Sequence, residues 1–177
     1  MQNELGCIHI YCGDGKGKTT SSMGLALRAI GHGFRVVITQ FLKDGDSSEL
    51  KALGRFENAT IISGKDVAGF SFTMNGEQKA MVTKNHNDHL KKAIEICQSG
   101  ACDMLVLDEL LGAISTGLID YDLLISFLKN KPPKLEVVIT GRNPNEELLD
   151  LADYVSDIHK IKHPYDRGIK ARGGIEL

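Results

Sequence analysis

Short apolar runs recur along the chain, separated by longer amphipathic or polar stretches, and that rhythm predicts strands alternating with helices. Residues 8–11 (IHIY) are apolar and end in glycines, which predicts a buried strand. Residues 18–30 show helical spacing, with Met23, Leu25, Ala26, Ala29 and Ile30 on one face, and Gly31 and Gly33 are expected to close that helix. Residues 35–41 (RVVITQF) are too rich in β-branched side chains for a surface helix and predict a second strand. Residues 42–58 are polar and weakly patterned, and residues 60–63 predict a short strand. Residues 64–75 are glycine-containing and read as flexible, yet hold Phe70 and Phe72. A long amphipathic helix follows at 76–99, its outer face carrying Lys79, Lys84, Asp88, Lys91, Lys92 and Glu95.

Residues 104–107 predict a third clear strand that runs into Asp108 and Glu109. Helical segments then extend to Pro132–Pro133, which break them. Residues 135–140 (LEVVIT) predict a fourth strand, 146–152 a short helix, and 154–161 an alternating strand. The expected fold is therefore α/β, a mostly parallel sheet with helices on both faces. Ligands of such sheets sit beyond the carboxyl ends of the strands. The glycines after the first strand, Asp108–Glu109 and Gly141–Arg142 all fall there.

Composition narrows this picture. A chain of 177 residues fits one domain spanning residues 1–177. The formal charge of −2 argues against a general nucleic-acid binder. The local exception is basic: Lys160, Lys162, Arg167, Lys170 and Arg172 accompany only Asp166, as a solvated tail or as an anion contact. No apolar run approaches the ~20 residues of a membrane span. Residues 1–7 carry no basic stretch followed by an apolar one, so a cytoplasmic location is expected. Cys7, Cys12, Cys97 and Cys102 form no C-x-x-C pair, which disfavours zinc and predicts reduced thiols.

The strongest chemistry lies between the first strand and the first helix: Gly13-Asp14-Gly15-Lys16-Gly17-Lys18-Thr19-Thr20. Glycines allow a tight bend that aims successive N–H groups at one point, and the helix N-terminus adds partial positive charge. Lys18 is placed to reach outer phosphates and the Thr19 hydroxyl to ligate Mg²⁺, so the loop predicts binding of the ATP triphosphate. The usual first glycine of such a loop is Cys12 here. Residues 104–109 resemble the acidic strand that accompanies these loops. At least one of Asp108 and Glu109 is expected to serve a metal, Glu109 being the better candidate, with helix capping as the alternative. Arg142 suits phosphate oxygens, or a surface salt bridge. His163 reads as a ligand contact or a loop cap, Arg28 as a nucleotide contact or a plain surface residue, and Phe70 and Phe72 as core residues or an aromatic lid.

Together these elements resemble the ATP:corrinoid adenosyltransferases of the cobalamin-synthesis and salvage type. The resemblance rests on residues 13–20, Ala26-Leu27-Arg28-Ala29, VITQFL at 37–42 and Leu107-Asp108-Glu109-Leu110. It continues through Thr140-Gly141-Arg142, Lys162-His163-Pro164-Tyr165-Asp166 and GIKARGGIEL at 168–177. That family's phosphate loop likewise lacks the first glycine. The resemblance implies a RecA-like P-loop fold and transfer of the 5′-deoxyadenosyl group of ATP to the Co(I) centre of a corrinoid, with triphosphate released. It implies a reversed ATP orientation, with Lys16, Lys18 and the loop backbone holding the triphosphate. Thr19 and Glu109 would bind Mg²⁺, Arg142 would support phosphates, and Arg28 and His163 would line the nucleotide pocket. Phe70 and Phe72 match an aromatic pair on the corrinoid side, where the family commonly has Trp in place of Phe72. Lys18, Glu109 and Phe72 would then act at the reacting groups. The implied partners are ATP, a corrinoid, a flavoprotein or similar reductant, and a second copy of the chain in a homodimer. Neither nucleic acid nor membrane is implied.

Overall fold

The computed structural model describes residues 6–43, 47–64 and 74–176. Six strands form one sheet: β1 Ile8–Cys12, β2 Val36–Gln40, β3 Ala59–Ile62, β4 Met104–Asp108, β5 Glu136–Thr140 and β6 Tyr154–Asp157. Their order is β3-β2-β4-β5-β1-β6 and every pairing is parallel. The helices are α1 Lys18–Gly31, α2 Ser48–Leu53, α3 Gly76–Gln98, α4 Leu110–Ser115, α5 Tyr121–Lys129 and α6 Glu146–Leu151. This is the expected α/β architecture and agrees with a RecA-like P-loop fold.

Strand alternation divides the core between the two faces of the sheet. Val37, Leu105, Leu107, Val137 and Ile139 pack with Leu90, Ile94, Leu110, Leu124 and Leu128 from α3, α4 and α5. Val36, Ile38, Val106 and Val138 point the other way, against Met23, Ala26 and Ile30 of α1 and Leu50 and Leu53 of α2. Because both faces are covered, β2 and β4 are buried at every residue, as all-parallel sheets require. Full burial of a side chain such as Leu105 stabilises the fold by about 1.5–3 kcal/mol.

Three expectations change. Residues 42–58 contain α2, a single short helix whose Ser47 side chain accepts from the Leu50 N–H. Gly31 lies inside α1; His32 ends the helix in the right-handed region, and Gly33 makes the turn at φ 94°. The last strand is half the expected length and exposed at all four positions, because it is an edge strand paired only with β1. Past Asp157 the chain bends toward the glycine loop, where the Ile158 carbonyl accepts from the Gly15 N–H at 2.7 Å. The segment 64–75 falls almost wholly, Phe70 and Phe72 included, outside the described residues.

Candidate active site

The parallel order carries β1, β4 and β5 to a common carboxyl end, with β5 between the other two. After Cys12 the chain turns through Gly13 at φ 105°, where a Cβ would lie 2.4 Å from the Ile158 carbonyl oxygen. Only glycine fits that approach. Helix α1 then starts at Lys18 with no side-chain cap and no acid in its first turn. Its first amides, which no helical carbonyl can satisfy, are left to an anion. The Lys18 ammonium donates to the Gly15 carbonyl at 2.7 Å and so lies folded over the loop.

Asp108 organises the rest. It is fully buried, and its carboxylate accepts four hydrogen bonds. Oδ1 takes the hydroxyls of Thr19 at 2.9 Å and Thr140 at 2.7 Å. Oδ2 takes the Gln40 side-chain amide at 2.8 Å and the Lys43 ammonium at 3.1 Å. Thr140 ends β5, the intervening strand, so the contact from β4 to Thr19 is bridged by the strand it crosses. Thr140 Oγ1 also accepts from the Glu109 N–H at 2.9 Å. A buried carboxylate is tolerated when it is this fully paired.

Glu109 sits one residue further, in the left-handed conformation at φ 59° and at the N-terminus of α4, with no side-chain capping bond. The capping alternative for Glu109 is thereby excluded. Burial, and then the neighbouring Asp108, push its carboxyl above the usual range, while Lys43, Lys18 and Arg142 pull it back. Burial, and next Arg142, draw the Lys18 ammonium below its ordinary value, against Glu109 and Asp14. Lys43 lies 3.1 Å from Asp108 and 4.0 Å from Glu109, so the acids of β4 share at least one basic neighbour.

Oxygen donors of this kind suit Mg²⁺, which takes one or two protein oxygens and completes its shell with water and phosphate. Gln40, whose amide N–H group donates to Asp108, carries a buried Oε1 with no hydrogen-bond partner among the described residues. Among the described residues no group of three or more His, Cys, Asp or Glu builds a closed metal cage.

The remaining sequence candidates divide. Asp14 accepts from the Lys160 N–H at 2.9 Å, which fixes the loop to the basic C-terminal stretch. Lys160 itself pairs with Asp166, and Arg172 with Glu176, so this stretch is partly neutralised within the chain. Lys16, Thr20 and Arg142 are exposed at the loop and at the end of β5. His163 caps the turn of 3-10 helix Pro164–Arg167, its Nδ1 accepting from the Tyr165 N–H at 3.1 Å. Arg28 lies in the last turn of α1, about 13 Å of helix from Thr19, apart from the phosphate loop. Gln40, Thr140 and Lys43 escape the residue-by-residue reading as site members. The first two lie within matched stretches and Lys43 just beyond one, but no spacing rule assigns them a contact. All four cysteines are free thiols, three of them buried.

Comparison with known proteins gives a consistent result. The family model described as ATP:corrinoid adenosyltransferase BtuR/CobO/CobP matches residues 4–177. A corrinoid adenosyltransferase of Escherichia coli is 33% identical over 99% of this chain and 87% of its own length. The corrinoid adenosyltransferase CobA of Salmonella typhimurium is 36% identical with the same coverage. A corrinoid adenosyltransferase of Pseudomonas aeruginosa is 30% identical over 99% of this chain and 86% of its own.

Proposed function

This chain belongs to the ATP:corrinoid adenosyltransferase family, and on that premise we propose that it transfers the 5′-deoxyadenosyl group of ATP to the Co(I) centre of a corrinoid substrate. The observation that carries the reading is the Thr19–Asp108 hydrogen bond. It joins a Gly-Lys-Thr loop to the acids of β4 where a departing polyphosphate needs positive charge.

In the reaction the cobalt–carbon bond forms as the C5′–O5′ bond breaks, and the electron pair leaves on triphosphate. Co(I) is itself the nucleophile, so the chain needs no Ser, Cys or general base. Its work is alignment and stabilisation of the negative charge that develops on the leaving oxygen. The loop amides, Lys16 and Lys18 hold the triphosphate, and Arg142 supports it from the end of β5. Lys18 leaves the Gly15 carbonyl to make this contact. Thr19 and Glu109 are the residues that would hold Mg²⁺, with Asp108 fixing the Thr19 hydroxyl. The ion, when bound, supplies countercharge to the leaving triphosphate. Arg28 and the free edge of His163 serve the nucleoside end, and Phe70 and Phe72 cover the corrinoid face.

One domain covers residues 1–177, and its setting is the cytoplasm. A flavoprotein or similar reductant supplies Co(I), and two copies form a homodimer. No helix among the described residues is long and apolar enough to cross a membrane.

The test mixes protein, ATP, Mg²⁺ and chemically reduced cobalamin and follows the corrinoid spectrum together with the phosphate product. Alkylated corrinoid with stoichiometric triphosphate supports the reading. ADP and orthophosphate with an unalkylated corrinoid would refute it in favour of an NTPase that attacks the γ-phosphate. For the aromatic pair, Phe72→Ala should impair reaction from Co(II) plus a mild reductant more than reaction from preformed Co(I). Equal loss in both assays removes that role.

A further inference from the structure

Of the two ammonium groups that act on the Glu109 carboxyl, Lys43 and Lys18, the reaction proposed above employs only Lys18. The other, Lys43, follows a sharp corner after β2. Leu42 adopts φ 57° there, and its N–H points to Nε2 of the buried His86 at 3.4 Å. The corner sends the Lys43 ammonium back over the strand ends. It lies 3.1 Å from Asp108 Oδ2, 3.4 Å from Thr19 Oγ1 and 4.0 Å from Glu109 Oε1. These are the oxygen groups that a nucleotide-borne Mg²⁺ would use or lean on. One small volume thus has two cationic claimants.

We propose that Lys43 is the resident cation of this seat: it holds Thr19, Asp108 and Glu109 together in the nucleotide-free protein, excludes a bare divalent ion, and yields only when ATP brings Mg²⁺ with phosphate. This rests on the assignment of Thr19 and Glu109 to Mg²⁺ made above. The charges explain the order. Two adjacent carboxylates, one of them fully buried, need a positive partner at all times. A single ammonium meets that need, whereas a divalent ion entering beside it would meet like charge at contact distance. Incoming polyphosphate reverses the balance by adding negative charge that ammonium and metal can share. The Lys43 side chain is 35% exposed, so its flexible stem has room to swing its point charge toward that phosphate.

The test is Mn²⁺ binding to the full chain, read without ATP by the loss of the free Mn²⁺ electron paramagnetic resonance signal, and with ATP by the Mn²⁺ that equilibrium dialysis of Mn–ATP retains with the protein over the level in the protein-free chamber. In the nucleotide-free protein, Lys43→Met should bind Mn²⁺ about tenfold or more tightly than the unaltered chain. Lys43→Arg, which keeps the charge, should stay as weak as the unaltered chain. Lys43→Gln gives a second neutral variant should the methionine variant melt early. If both neutral variants bind bare Mn²⁺ no better than the unaltered chain, the proposal is overturned. Thr19→Ala separates the two readings. If it weakens Mn²⁺ uptake with ATP present while the Lys43 variants change nothing without ATP, Lys43 alone loses its role. If it leaves uptake with ATP unchanged, the metal assignment fails and the Lys43 proposal with it.

Discussion

The two ends of the sheet use charge in opposite ways. At the amino end, charged side chains tie backbone to backbone across the start of the strands. Glu136 accepts from the Cys7 N–H at 2.8 Å and meets the His9 ring, Asp153 accepts from the Ile8 N–H at 2.8 Å, and Lys131 donates to the Gly6 and Leu135 carbonyls. At the carboxyl end side chains hold one another: Thr19, Gln40, Lys43 and Thr140 all converge on the Asp108 carboxylate. Backbone strain follows the same division. Among the described residues, the non-glycine residues at positive φ are Leu42, Glu109 and Asn143, which follow β2, β4 and β5. Such conformations cost about 1–2 kcal/mol each and persist where surrounding structure holds them for a task. The amino end ties the strand starts together, and the carboxyl end, on the function proposed above, exchanges partners when ligand arrives.

Substitutions should therefore separate activity from stability by position, and Asp108 is the place where the separation breaks. Asp108→Ala leaves the Thr19, Thr140 and Gln40 donors facing a buried gap. At ~1–3 kcal/mol per unsatisfied buried group, partly recovered by relaxation, a loss of about 3 kcal/mol is expected in urea unfolding. Adenosyl transfer should fall with it by at least tenfold. A variant that lost activity at full stability would show that the Asp108 network is not structural. Lys18→Ala should behave as the pure case. Loss of its phosphate contacts predicts roughly a hundredfold drop in kcat/KM for ATP. Corrinoid affinity should hardly change, and the melting midpoint should move by less than about 2 °C.

The same division governs what can be read from residues alone. The phosphate loop and its helix are legible because glycines, Lys18 and an apolar run obey local rules, and α1 starts where expected. Which of the two acids meets the Thr19 hydroxyl is not. Adjacent acids at a strand end differ by which face the pleat presents, and Glu109 departs from the strand through its positive φ. The pleat delivers Asp108, not Glu109, to the Thr19 hydroxyl. Lys43 is hidden for a related reason, since its position depends on a left-handed corner at Leu42, a residue with no preference for that conformation. The final strand shows the opposite failure: the apolar residues of 154–161 fall at 154, 155, 158 and 161 without true alternation, and an edge strand needs pairing partners, which end with β1 at Cys12.

Glu136 tests the amino end. Burial raises its carboxyl, but the His9 ring and the Cys7 N–H outweigh that and hold it below its ordinary range. The unfolded chain therefore binds the proton at higher pH than the folded one. The stability from this group is fully present above the ordinary carboxylate pKa and is lost as pH falls through the folded value. Glu136→Gln should cost about 1 kcal/mol near neutral pH, modest because the side chain is 25% exposed. The gap from the unaltered chain should close as pH falls below about 4. Turnover per folded molecule should be unchanged. A gap that stayed constant in acid would mean shape rather than charge is what Glu136 contributes.

The smallest effect is expected at the rim of the same end. Arg35 reaches Asp103 with two side-chain N–H groups, at 3.0 and 2.7 Å, and with its backbone N–H at 2.8 Å. The side-chain pair is open to water, Arg35 being 51% exposed and Asp103 35%, so solvent screens it and ordering two side chains offsets much of the attraction. Arg35→Gln removes the ion pair and keeps the backbone bond. Its melting midpoint should fall by no more than about 1–2 °C. In 1 M salt, where charges are screened beyond about 3 Å, the difference should vanish. A drop as large as that of Glu136→Gln, and indifferent to salt, would show that position along the strand, not burial, sets how strongly charge closes the amino end.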